Sequence, residues 1–226
     1  ACIGVYDGRY GYGHEKTTTR VTRVATGLWG SSRISNELST NGMTFLSLLQ
    51  GHDLVKPTIA PETRRRIEQD FLLEHYLDVR AYTLITNKAG PARTSRVAFG
   101  LVYDDEAEIA AGLEGWTKLL ESQYYPDGSM KETPIYGHKP IREELWKAPE
   151  LLRGRRDLYG EGLYRAAMIG HREIATPLGT QPTLDDSFLG WSVSRLLADI
   201  AAARCGIIIP SLEPGPTTFA LFNTDL

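Results

Sequence analysis

Residues 80–103 read RAYTLITNKAGPARTSRVAFGLVY, and the secondary structure given to them decides the fold class. Val97, Phe99, Leu101 and Tyr103 alternate with other residues, the two-residue period that puts one set of side chains on one face of a strand. Upstream, Asn87-Lys88-Ala89-Gly90-Pro91 carries the Gly-Pro signature of a turn. The expectation is a hairpin of two strands, 80–86 and 96–103.

Working outward, Pro61 opens a helix: proline is tolerated in a first turn, and Glu62 suits the positive end of the helix dipole. Ile67, Phe71, Leu72 and Tyr76 supply its apolar stripe. On the other side, Asp104 or Asp105 caps a further helix with Glu108 in its first turn and Ile109, Leu113, Trp116 and Leu120 on its buried side. A short strand at 1–6 precedes all of these, and 133–136 offers a last one. Strand, helix, strand, strand, helix, strand is the order of a split βαββαβ, ferredoxin-like layout. The fold class expected is therefore α+β, with a mostly helical C-terminal region. In the chain as one domain, residues 1–138 form the α/β core and 139–226 an extension packed on it.

Within that extension, helices are expected at 141–152, at 157–171 and, with the clearest signals, at 183–204. There Thr183 and Asp186 form the start and Gly206 the stop. Residues 207–209 and 217–223 read as closing strands. Near the start, 17–26 reads as a strand rich in β-branched residues, and 35–50 as helical with a break at Asn41-Gly42.

With 226 residues, 42% of them hydrophobic and 23% charged, the chain is long enough to bury a full core, and wholesale disorder is excluded. The net charge of −3 excludes a histone-like polycation. It conceals an asymmetry, because the first 100 residues carry 13 basic and 9 acidic side chains and the remainder carries the acidic excess. Arginine outnumbers lysine, and arginine makes the planar, two-pronged bonds that suit phosphate. A GC-rich genome gives the same bias without any function. The two cysteines, Cys2 and Cys205, are too few for a four-cysteine zinc site and fit reduced thiols in the cytoplasm. No apolar run approaches the length of a membrane span, and no leader is expected at the start of the chain.

Four groups of residues are candidates for chemistry. Lys16, Arg20, Arg23 and Arg33 lie in a stretch rich in Thr and Ser without an acidic residue between Glu15 and Glu37, and Trp29 offers a stacking surface. Hydroxyls, glycine amides and guanidinium groups together suit phosphate. Arg64, Arg65 and Arg66 oppose the dipole of the helix that Pro61 opens, which hints at an anionic partner; Glu62, Glu68 and Asp70 are close enough in sequence to neutralise them. Arg153, Arg155 and Arg156 repeat the pattern. Asp7, His14 and Glu15 flank a glycine–tyrosine loop, where His14 can serve as a general base oriented by Asp7. Asp104-Asp105 and Asp185-Asp186 resemble magnesium-holding pairs, although helix capping explains them fully. No G-x-S-x-G, phosphate-loop or H-E-x-x-H motif occurs, and neither a metal site nor a cofactor is expected.

The function expected is a non-catalytic subunit of a larger intracellular assembly that contacts the phosphate backbone of nucleic acid, RNA ahead of DNA. Its contacts would come from Lys16, Arg20, Arg23, Trp29, Arg33, Arg64 and Arg65, and its other partners would be copies of itself or other subunits, with no membrane. An enzyme using the loop His/Asp or a magnesium–carboxylate site is one alternative. A coat or scaffold subunit without nucleic-acid contacts is the other.

Overall fold

The computed structural model describes residues 38–85, 89–131, 144–175 and 195–210. The chain divides into two compact units, Ala1–Trp116 and Thr117–Leu226. Among the described residues the regular structure is helical and no strand is formed; one isolated antiparallel bridge joins Tyr124 and Met130. The α+β class and the ferredoxin-like core are thereby overturned. The expected strands at 1–6, 17–26, 133–136 and 217–223 lie outside the described residues. Residues 207–209, read as a strand, have no regular structure. No helix among the described residues is long and apolar enough to cross a membrane.

In the first unit, α1 is Leu38–Val55 and ends in a 3₁₀ turn, Lys56–Thr58. Residues 61–80 form one helical rod in three parts: α2 (Pro61–Arg66), a π-helical run (Ile67–Leu73) and α3 (Glu74–Arg80). Then follow α4 (Gly90–Tyr103) and α5 (Glu106–Gln123), which begins in the first unit and ends in the second. The rod starts at Pro61 as its sequence predicts, and Phe71, Leu72 and Tyr76 are buried. Asp104 takes the left-handed conformation that stops α4, with φ 53°. Asp105 then caps α5, its Oδ1 accepting from the amides of Ala107 and Glu108, both at 3.1 Å.

The hairpin is the reading that fails, for two physical reasons. Between residues 89 and 100 every side chain except Arg96 is buried. A helix covered on all sides carries no polar face, so its 3.6-residue period vanishes and a chance alternation passes for a strand. The second reason is Arg93. Residues 81–85 run without regular structure, and their carbonyls find a guanidinium instead of a neighbouring strand: Arg93 Nη1 donates to Tyr82 O at 2.7 Å and Nη2 to Leu84 O at 3.0 Å. Burial, followed by the charge of Arg96, holds the Arg93 guanidinium below its ordinary value.

Gly42, expected to break the first helix, lies within it. A β-carbon there would stand 2.5 Å from the backbone carbon of Pro91 and 2.6 Å from Ala92 N. The glycine lets the backbones of α1 and α4 touch, and the Ser95 hydroxyl donates to Gly42 O at 2.7 Å across that contact. Phe45, also of α1, packs on α3, its ring centroid 5.2 Å from His75 and 5.7 Å from Tyr76.

In the second unit, α6 (Lys147–Leu151), a 3₁₀ turn (Leu158–Gly160), α7 (Gly162–Ile174) and α8 (Arg195–Cys205) are described, with the last turns of α5. Glu150 of α6 ties three of them together. It accepts from the Tyr159 hydroxyl at 2.9 Å and from Arg204 Nε at 3.0 Å. A tight turn, 125–128, seats Gly128 at φ 86° against α7, where a β-carbon would fall 1.7 Å from Ala166 O. Gly206 ends α8 as predicted, with φ 64° and the Ile207 amide donating back to Ala201 O at 3.1 Å.

Arg93→Met keeps the bulk and removes both bonds to the 81–85 segment. The expected outcome is a loss of about 3 kcal/mol in urea unfolding, because two carbonyls lose a charged donor. A loss of under about 0.5 kcal/mol would show that the guanidinium does not hold the segment.

Candidate functional site

A cleft of about 460 Å³ opens in the first unit, lined by the π-helical run, α3, the end of α4 and the start of α5. Its volume is that of a small-molecule site. On the rod, Phe71 and Leu72 are buried while Glu68, Gln69 and Leu73 face the cleft, joined by Leu77 and Arg80 one and two turns on. Leu73 is 42% exposed and Leu77 36%, apolar side chains left outside the buried stripe of their own rod. Runs of π-helix are rare and gather at functional sites.

Tyr76 and Phe99 form the aromatic wall, stacked with centroids 3.7 Å apart and planes 1° from parallel; Tyr103 follows, 4.6 Å from Phe99. Beside them lies Glu108, 7% exposed. A carboxylate so buried needs compensation. It receives the Tyr76 hydroxyl, Arg96 through Nε at 2.8 Å and Nη2 at 2.7 Å, and Arg80 Nε at 3.5 Å from its other oxygen. Burial, reinforced by the bond to Glu108, pushes the Tyr76 hydroxyl well above its ordinary value. Burial pulls the Arg96 guanidinium down, and the bond to Glu108, the charge of Glu108 and Tyr76 together more than offset it, leaving it raised.

At the other end, Glu68 Oε1 sits 3.0 Å from Nε2 of the buried His52 and 3.9 Å from Arg64 Nε. The Tyr103 hydroxyl is buried with no hydrogen-bond partner among the described residues. Burial, then the negative charges of Glu68 and Asp53, raise it to about 12.

Of the residues that sequence singled out, Arg64, Arg65 and Arg66 are exposed on α2. Arg64 meets Glu68, while Arg65 and Arg66 form no ion pair among the described residues. Arg156 is taken up by Glu161 at 2.6 Å, and Arg153 faces Glu150 at 4.0 Å. Asp104 and Asp105 serve helix ends, and no group of three His, Cys, Asp or Glu among the described residues is placed to hold a metal ion. Asp7, His14, Glu15, Lys16, Arg20, Arg23, Trp29, Arg33, Asp185 and Asp186 lie outside the described residues, as does Cys2; Cys205 is a free, half-buried thiol. The cleft was missed by sequence reasoning. Its one visible signal was the Leu73–Leu77 pair, four residues apart and off the stripe of Ile67, Phe71, Leu72 and Tyr76.

Because the Tyr103 hydroxyl ionises higher in the folded chain than in the unfolded one, its contribution to stability is intact below pH 10 and is lost as pH rises through about 12. Denaturant midpoints measured from pH 9 to 12 are expected to fall less steeply in Tyr103→Phe than in the parent. Parallel curves would remove Tyr103 from this account. No family model, no curated protein and no solved structure matches this chain.

Proposed function

We propose that the first unit binds a small organic ligand in the cleft walled by the π-helical run, Tyr76, Phe99 and Tyr103. The observation that carries this reading is the π-helical run itself. It breaks the regular helix over seven residues, and Leu73, 42% exposed, lies at the cleft. Opposite it, Glu108 and its three donors fix the other wall, so the site is formed before any ligand arrives. Leu73→Trp fills the cleft from an exposed position and leaves the core intact. In a fragment screen observed by nuclear magnetic resonance, hits are expected to shift the amides of Leu73, Leu77 and Tyr103. Each should weaken at least about tenfold in the Trp variant, a difference of about 1.4 kcal/mol. Hits that bind both proteins equally would sink the reading.

A second reading keeps the phosphate contacts, and Arg65 and Arg66, exposed and without an ion pair among the described residues, favour it. Lys16, Arg20, Arg23, Trp29 and Arg33 would extend the surface in a cytoplasmic assembly, with RNA ahead of DNA and with copies of itself or other subunits as neighbours. The free thiol of Cys205 is in keeping with that setting. Single-stranded RNA binding followed over a salt series checks it. The double variant Arg65→Ala, Arg66→Ala should flatten the slope of log K against log salt by about 1.4, roughly 0.7 per lost phosphate contact. An unchanged slope would remove these two arginines from any nucleic-acid surface.

A further inference from the structure

We infer that the rod has a second register, a continuous α-helix reached when α2 turns by one residue position, and that the bond from Glu68 to His52 holds it in the first. The apolar pattern of the rod carries one residue too many for a regular helix. Leu72, Tyr76 and Val79, all buried, are spaced by four and three. Continued back from Leu72, that spacing puts Gln69, Glu68 and Arg65 on the buried side and Ile67 on the outer side. The structure shows another arrangement, with Gln69 and Arg65 exposed and Ile67 half-buried. The π-helical run makes the difference. Its i to i+5 bonds widen each turn, and over seven residues it takes in about one residue more than an α-helix turning through the same angle. The surplus residue is stored there.

The two ends of the run are held unequally. Beyond it, Tyr76 of α3 is bonded to Glu108 and stacked on Phe99. Before it, α2 buries no residue, and Ile59 leads toward it as extended chain. Between residues 61 and 70, the one side-chain hydrogen bond or ion pair to another element, among the described residues, joins Glu68 Oε1 to His52 Nε2 at 3.0 Å. His52 is buried, and its Nδ1 has no hydrogen-bond partner among the described residues. α2 is therefore the part free to turn. In the second register Gln69 moves toward the place of Glu68, and Glu68 leaves the cleft wall. Ile67 gives up its cover to Gln69 and Arg65, and that exchange of an apolar side chain for polar ones makes the second register the minor one. The cleft thus has two settings, with and without a carboxylate from the rod.

Asp70 is exposed and forms no hydrogen bond or ion pair among the described residues. Deleting it places Ile67 four residues before Leu72, which is a regular helical stripe. The test compares the full chain, labelled with nitrogen-15, with the Asp70 deletion, Gln69→Leu and Glu68→Gln. Relaxation dispersion is recorded at the amides of residues 62–73. In the parent it is expected to report a second state populated at roughly 1–10%. Gln69→Leu sets an apolar side chain where only the second register buries it, and should raise that population at least about threefold. Glu68→Gln weakens the tie to His52 and should raise it as well. The deletion has no surplus to release. It is expected to unfold in urea at a midpoint no lower than the parent's and to show no dispersion on the rod. Flat profiles in both the parent and Gln69→Leu overturn the second register, and so does exchange that survives in the deletion. A deletion that fails to fold, or whose midpoint drops, overturns the surplus residue and the register with it. An unchanged population in Glu68→Gln overturns the holding role of the Glu68–His52 bond. None of these readouts uses a ligand, so the cleft reading stands or falls apart from them.

Discussion

A carboxylate removed from water has to be answered by donors, and in the first unit that requirement falls on Glu108. Three residues from two other helices meet it: Tyr76 and Arg80 from α3 and Arg96 from α4. The position of α5 against the rod is thus fixed by charge as well as by packing. The stacking of Tyr76 on Phe99 follows, because the tyrosine is held at its hydroxyl end while its ring lies flat on α4. The cleft is the space left beside this junction. Removing one partner would leave a buried charge short of donors, and the wall of the site would be the first part to move.

The second unit solves a similar problem with similar parts. Glu150 accepts from the Tyr159 hydroxyl and from Arg204, again one phenol and one guanidinium drawn from different segments. Burial, with Glu150 beside it, pushes the Tyr159 hydroxyl far above its ordinary value. Helices that are short, such as the five residues of α6, gain little from their own hydrogen bonds. A carboxylate shared between a tyrosine and an arginine gives such a piece a defined place that apolar packing alone specifies less sharply.

The sequence was legible where a helix keeps one wet face and a clear end. Pro61, Asp105 and Gly206 mark ends that the structure keeps, and the stripes of the rod and of α5 are real. It was misleading where burial is complete. Residues 90–103 lost their period because both sides of α4 are covered. Gly42 looked like a break because the helix that touches it comes from about fifty residues further along the chain, through Pro91. The cleft was illegible for a related reason. Glu108 looked like an ordinary first-turn acid, and nothing in its neighbourhood announces partners 12 and 32 positions away. The Arg64–Arg66 cluster shows the opposite error: it is conspicuous as a string, while in space its first member serves to hold Glu68.

The way Arg93 holds residues 81–85 separates two properties that usually go together. A strand or a helix immobilises its backbone through both the carbonyl and the amide. Here the guanidinium grips only oxygen atoms, those of Tyr82 and Leu84. The amides of Thr83 and Leu84 have no acceptor among the described residues. To hydrogen exchange, which senses only whether an N–H is covered, such a segment registers as open chain. To a protease, which must draw the backbone into an extended groove of its own, the same segment is pinned. Its local order is held by a side chain and is therefore invisible to the measurement most often used to map order.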